Sequence, residues 1–237
     1  MMRRCLLIEP GLVDYGEAFR LQRAVAAARE TGALPDTLVI LEHPPVLTLG
    51  RRASRQNILV PAELLRRQGV AVHQSTRGGD VTYHGPGQLV GYPILDLRGL
   101  GLGPSAYVHS LETVIIDFLR GFGIEARQDP RYVGVWVGEQ KVAAIGVAVS
   151  RGVTTHGFAV NVDPDLSHFR LINPCGITDR GVTSMARLLG RRITVEEVRP
   201  SLVESFGRIL GMEMVRSGPS DLIAAGVSVS GEADPAS

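Results

Sequence analysis

Apolar residues recur along the chain in two periods, close to two and close to 3.6, and the switches between them delimit the elements. Residues 5–9 read as a first strand. Residues 15–29 read as a helix with Ala18, Leu21, Val25 and Ala28 on one stripe. Short apolar runs at 37–41 and 46–49 predict strands, stopped by His43-Pro44-Pro45 and by Gly50. A short helix over 61–68 has proline at its start and Gly69 at its end. Residues 70–74 read as a strand, and 82–83 and 89–95 look extended about a glycine-rich bend. Pro104 opens the clearest helix. Tyr107, Leu111, Val114 and Phe118 recur at helical spacing, with Val108, Ile115 and Leu119 beside them, up to Gly121 and Gly123. Glu112 and Asp117 on this helix read as solvated positions. Residues 132–137 and 142–149 predict a hairpin about Gly138-Glu139-Gln140, and 153–162 a further strand. Thr194-Val195-Glu196-Glu197 has the capping-box pattern and starts a last helix, with Val198, Leu202, Phe206 and Ile209 on its buried side. Helices fall irregularly among strands that often follow one another directly. The expectation is an α+β fold, an α/β sandwich with a mixed, largely antiparallel sheet flanked by helices. It comprises a single domain over residues 1–216 and a flexible tail over 217–237.

Composition narrows the classes. The chain has 237 residues, 44% hydrophobic and 21% charged, with a net charge of +1. That charge argues against general nucleic-acid binding. Basic clusters occur at Arg51-Arg52 with Arg55, at Arg66-Arg67 and at Arg191-Arg192; they could be solvated faces or dock an acidic partner. The two cysteines, Cys5 and Cys175, show no C-x-x-C spacing, which suits a reducing cytoplasm. No run approaches ~18 apolar residues, and the first one stops at Glu9-Pro10, too early for a signal peptide. No membrane association is expected. The six histidines, His43, His73, His84, His109, His156 and His168, do not pair with Cys or each other at metal-ligand spacing, so no metal is expected.

Three features carry chemistry. Of 25 Lys plus Arg residues, only Lys141 is a lysine. It is either a solvated residue of the predicted turn or a position that needs a removable proton, which arginine does not supply. Cys175 lies in Ile172-Asn173-Pro174-Cys175-Gly176, where the flanking proline and glycine predict an accessible loop. Residues 77–88, Arg77-Gly-Gly-Asp-Val-Thr-Tyr-His-Gly-Pro-Gly-Gln88, are too glycine-rich for a regular element and match no phosphate-loop spacing. They form an elaborate turn or a close approach to a ligand.

Together these segments resemble the octanoyltransferase, or lipoyl(octanoyl) transferase, family. The resemblance rests on residues 77–88 with Tyr92-Pro93, on Lys141-Val-Ala-Ala-Ile-Gly146, on His156-Gly157, Asn161-Val162 and Asn173-Pro-Cys-Gly176, and on His43-Pro-Pro-Val-Leu-Thr-Leu-Gly50. It spans about residues 5 to 210. It implies a fold similar to the catalytic domains of biotin protein ligases and lipoate ligases. It also implies transfer of an octanoyl (or lipoyl) group from acyl carrier protein to a specific lysine of lipoyl domains, in 2-oxoacid dehydrogenase complexes and the glycine-cleavage H protein. No cofactor is implied, the acyl group arriving on the carrier's phosphopantetheine arm. Cys175 suits the nucleophile and Lys141 the base. The resemblance assigns the substrate site to Arg77, Gly78, Gly79, Asp80, Val81, Thr82, Tyr83 and His84, to Ala144, Ile145 and Gly146, and to Gly157, Phe158 and Ala159, with His156 in a supporting place. The alternatives are an ATP-dependent lipoate or biotin-type ligase on the same fold, a cysteine thioester hydrolase using His84 or His156, and a non-catalytic binding module.

Overall fold

The computed structural model describes residues 2–173, 180–224 and 226–227. The chain opens with β1 (Arg3–Leu12), α1 (Tyr15–Glu30), β2 (Asp36–Glu42) and β3 (Val46–Leu49), then α2 (Ala62–Arg67), β4 (Ala71–Gln74), β5 (Val81–His84) and β6 (Gln88–Ile94). After the short α3 (Leu97–Leu100) come α4 (Pro104–Arg120), β7 (Arg127–Gln128), β8 (Val135–Val137), β9 (Gln140–Ser150) and β10 (Val153–Asn161). β11 (Gly181–Val182), α5 (Met185–Leu189), α6 (Val195–Leu210), β12 (Met212–Arg216) and α7 (Pro219–Ala224) complete it.

The large sheet runs β12-β1-β2-β6-β10-β9-β8-β7, with β11 on β9. Its pairs are antiparallel from β2 to β7 and parallel at β12-β1-β2 and β9-β11. A second sheet, β4-β3-β5, lies apart from it. The mixed, largely antiparallel sheet with flanking helices is the expected architecture; the division into two sheets is not visible in the hydrophobic pattern.

Burial explains the layers. α4 places Tyr107, Leu111, Val114, Ile115, Phe118 and Leu119 against one face of the large sheet, where α6 adds Val198, Leu202 and Phe206. Each such side chain contributes about 1.5–3 kcal/mol on leaving water. The capping box of α6 forms as its sequence predicts: Thr194 N donates to Glu197 Oε2 at 2.6 Å and Glu197 N to Thr194 Oγ1 at 3.2 Å. α1 covers the other face through Ala18, Val25 and Ala28. The chain past residue 217 is not wholly a flexible tail. α7 is helical, and Leu222 and Val227 bury themselves in the α1 core.

Glu112 also departs from expectation. It is 4% exposed, not solvated, because it lies four residues after Val108 and three before Ile115, on the flanking apolar stripe of α4.

Within the large sheet, β6 and β10 approach most closely where side chains shrink. Gly157 in β10 faces Gly91 in β6, and a Cβ on Gly157 would overlap the Gly91 carbonyl and reach within 2.5 Å of Pro93 Cδ. Gly157→Ala is expected to lower stability by about 1–3 kcal/mol through overpacking. Chemical denaturation checks this; an unchanged midpoint would show that the β6–β10 pair accommodates a methyl group.

Candidate active site

Between the sheets lies a cavity of about 510 Å³. Its floor is β9 and β10, with Ala144, Ile145, Gly146, Gly157, Phe158 and Ala159; its wall is the β4–β5 segment and β5. Residues 77–80 and 82–84 all border it, so the glycine-rich stretch is a cavity wall and not merely a turn. Val81 is the exception. It is fully buried in the third core with Leu47 and Leu65, because strand alternation turns it away from its neighbours Thr82 and Asp80. Asp80 has a structural share as well: it accepts from Ser54 N at 3.2 Å and from Asn57, holding the turn Arg55–Asn57.

Arg77 anchors the wall. It is 8% exposed, and its guanidinium donates to Thr48 O at 2.6 Å, to Thr48 Oγ1 at 2.9 and 3.2 Å, and to Gly78 O at 3.1 Å. Gly78 N donates to Val147 O at 2.9 Å, tying the segment to β9. Room for the arginine comes from Gly146, where a Cβ would sit 3.0 Å from Gly78 O and 3.1 Å from Arg77 Cδ.

Beneath the cavity a chain of amides sets the state of His84. Gln88 Nε2 donates to Tyr83 O at 3.2 Å and to Asn161 Oδ1 at 3.0 Å, and Asn161 Nδ2 donates to Thr183 O at 2.9 Å. Both amides are thus oriented by backbone carbonyls. Gln88 Oε1 can only accept, so His84 donates from Nδ1, at 3.1 Å, and leaves Nε2 unprotonated. Burial, then His43 and Arg77, pull the His84 pKa well below its usual value. Burial also lowers His43 to about 4; its Nδ1 donates to Val13 O and its Nε2 accepts from Tyr92 Oη, both at 2.6 Å. His156 falls to about 4 through burial and then Arg77. It stacks on Phe19, bonds Thr76 Oγ1 at 2.9 Å, and takes φ 57° within β10. Its backbone N donates to Gln22 Oε1 at 2.7 Å.

Lys141 is not a turn residue. It is the second residue of β9, half-buried, and borders the cavity, with Nζ 4.8 Å from the Trp136 ring centroid. Cys175 lies outside the described residues. The flanking residues are held: Asn173 N donates to Asn57 O at 2.8 Å, and Arg180 pairs with Asp129 and Glu139, each at 3.0 Å. Of the basic clusters, Arg66 and Arg67 pair with Glu63, and Arg192 pairs with Asp163, whereas Arg52 stands at the cavity. Among the described residues no His, Cys, Asp and Glu gather in threes to hold a metal ion, and no helix is long and apolar enough to cross a membrane.

Sequence reasoning left Tyr15, Tyr92, Gln88, Asn161, Trp136 and Arg180 without roles. Gln88 and Asn161 carried a usable signal, as polar residues at the ends of apolar strands. Arg180 carried none.

The cavity is floored by small and apolar residues, Ala144, Ile145, Gly146, Gly157, Phe158 and Ala159, and Lys141 borders it. Residues 14–207 match the lipoyl protein ligase A/B catalytic domain model. The chain is 52% identical to the octanoyltransferase of Solibacter usitatus (90% of this chain, 96% of that protein) and 49% identical to that of Desulforamulus reducens (86% and 90%). In fold it is similar to a lipoate-protein ligase A bound with ATP (TM-score 0.76, 18% identity, 95% and 93% covered). It is also similar to a putative lipoate protein ligase of T. acidophilum with bound lipoic acid (0.75, 19%, 95% and 94%). The chain belongs to the lipoyl protein ligase A/B catalytic domain family.

The depressed imidazoles make stability depend on pH. Between the ordinary value of 6.5 and about 4, the unfolded chain binds protons that folded His43 and His156 refuse. Stability is therefore full above pH 6.5 and falls as pH drops toward 4. His156→Asn, which keeps a side chain tolerant of positive φ, is expected to flatten this slope in urea titrations at successive pH values. An unchanged slope would count against a neutral His156.

Proposed function

We propose that this protein transfers an octanoyl group from acyl carrier protein to a lysine of lipoyl domains, with Cys175 as nucleophile and Lys141 as base. The observation that carries the reading is the only lysine of the chain bordering an apolar-floored cavity, in a sequence half identical to octanoyltransferases. The acyl chain's seven CH2 and CH3 groups contribute up to ~6 kcal/mol of affinity at ~0.8 kcal/mol each. Arg52 and Arg131 at the cavity put positive charge where an acidic carrier would approach.

Lys141 first takes the Cys175 proton. The thiolate attacks the thioester carbonyl, and the carrier's sulfur leaves with that proton, so Lys141 ends neutral beside an acyl-cysteine. Thioester for thioester is a nearly even exchange. The acceptor's ammonium, with a pKa near ~10.4, is neutral in about one molecule in a thousand near pH 7.4, a barrier of roughly 4 kcal/mol. Neutral Lys141 accepts the ammonium's proton as the nitrogen attacks and returns it to the departing Cys175 sulfur, which restores the thiol, while the second proton of the new amide nitrogen passes to solvent. Arginine could steady the thiolate but could not take that proton. The protein needs no cofactor or metal in this scheme.

Intact-mass measurement after mixing with octanoyl carrier protein, without ATP, should show one octanoyl adduct that maps to Cys175 and is absent in Cys175→Ser. No adduct under single-turnover conditions would remove the two-step mechanism, and a requirement for ATP would move the protein to the ligases. Lys141→Arg should fold normally and lose transfer by at least about 100-fold, the scale of a lost general base. Transfer close to wild type would remove the base role.

A further inference from the structure

Lys141 owes its place to a break in strand pairing. β8 and β9 pair with Val135 opposite Ala143, yet Trp136 stands opposite Lys141, one residue further than a regular ladder allows. A bulge at this point re-aims the side chains that follow it. Because side chains alternate, a one-residue slip decides which face a residue occupies. Here it sets the amine of Lys141 4.8 Å from the centroid of the Trp136 ring.

Two contacts hold this arrangement. Gly134, with φ 128°, backs the lysine: a Cβ there would lie 2.7 Å from Ala143 O and 3.2 Å from Lys141 Cε. Its N–H donates to Glu112 Oε1 at 3.0 Å, so the buried carboxyl of α4 fixes the backbone on which the lysine rests. Trp136 itself is 1% exposed, and its Nε1 donates to Tyr132 O at 3.1 Å.

We infer that Trp136 is a positioning residue, whose ring, set by the bulge and by the Glu112–Gly134 hydrogen bond, holds the Lys141 amine in the cavity and favours its protonated form. The inference rests on the reading that Lys141 carries a proton during transfer. An aromatic face attracts a cation and not a neutral amine. Among the described residues, the other charged groups around the site include Arg52, Arg77, Asp80 and Arg131 on the cavity lining, Glu112 from α4, and Arg180 over both Tyr132 and Trp136, held by Asp129 and Glu139. The positive members of this set oppose a charged Lys141, so the ring supplies a term of opposite sign.

The composition of the chain provides the test. Lys141 is the only lysine, so protein labelled with 13C-lysine and carrying no added lysines gives one side-chain resonance whose titration belongs to it alone. Trp136→Leu is expected to lower the midpoint by about half a unit or more and to abolish the ring-current displacement of the Cε protons. Trp136→Phe, with a weaker ring and better-preserved packing, is expected to shift it less in the same direction and keeps the test valid if the leucine variant fails to fold. Glu112→Leu should lower the midpoint and reduce kcat more than it raises KM, and Glu112→Gln, which retains an acceptor for Gly134 N, should rescue both. A folded Trp136→Phe or Trp136→Leu protein with an unmoved midpoint and unmoved Cε signals overturns the inference. Full turnover by Lys141→Arg would instead remove the base role of Lys141 and leave the titration result standing.

Discussion

The structure depends on one buried cation. Removing the Arg77 guanidinium from water costs several kcal/mol unless its donors are met, and they are met by the carbonyl and hydroxyl of Thr48 in β3 and by Gly78 O. Those bonds fasten the wall segment to the small sheet, while Gly78 N fastens it to β9 of the large one. The cavity is the space left between two sheets joined in this way. Gly146 is part of the same constraint, because any larger residue there would press on the Arg77 side chain.

The cation also governs the groups around it. It stands among the causes that lower both His84 and His156, so the imidazoles below the cavity are neutral hydrogen-bonding groups and not cations. For His84 the amides of Gln88 and Asn161 go further and select the tautomer. A proton relay through His84 would have to break bonds that end on the Tyr83 and Thr183 carbonyls. In the proposed reaction the removable proton belongs instead to Lys141, on β9 at the edge of the cavity.

Much of this was legible in the residues. Strand and helix periods located β1, α1, β2, β3, α4, β10 and α6, because each carries enough apolar residues at a single period. The capping box of α6 formed as written. The short β7, β11 and α5 went unseen, since two to five residues hold no period. Glu112 was misplaced for a related reason: a lone carboxylate on an apolar stripe reads as solvent-facing unless a partner such as Gly134 N is known. The helix α7 went unseen because the burial of Leu222 and Val227 against the α1 core arises only once β12 has paired beside β1.

By itself the sequence determined the α+β class, the family, the segments that make the cavity, and the chemical oddity of one lysine among arginines. These are local properties, written in periodicity, turn residues and residue type. Only the tertiary structure decided which sheet each strand joins, that Val81 faces a core while its neighbours face the cavity, and that a bulge puts Lys141 opposite Trp136. Those facts depend on register and on contacts between residues far apart in the chain. A shift of one residue inverts a strand's faces without changing its composition, so no count of residue types could have contained them.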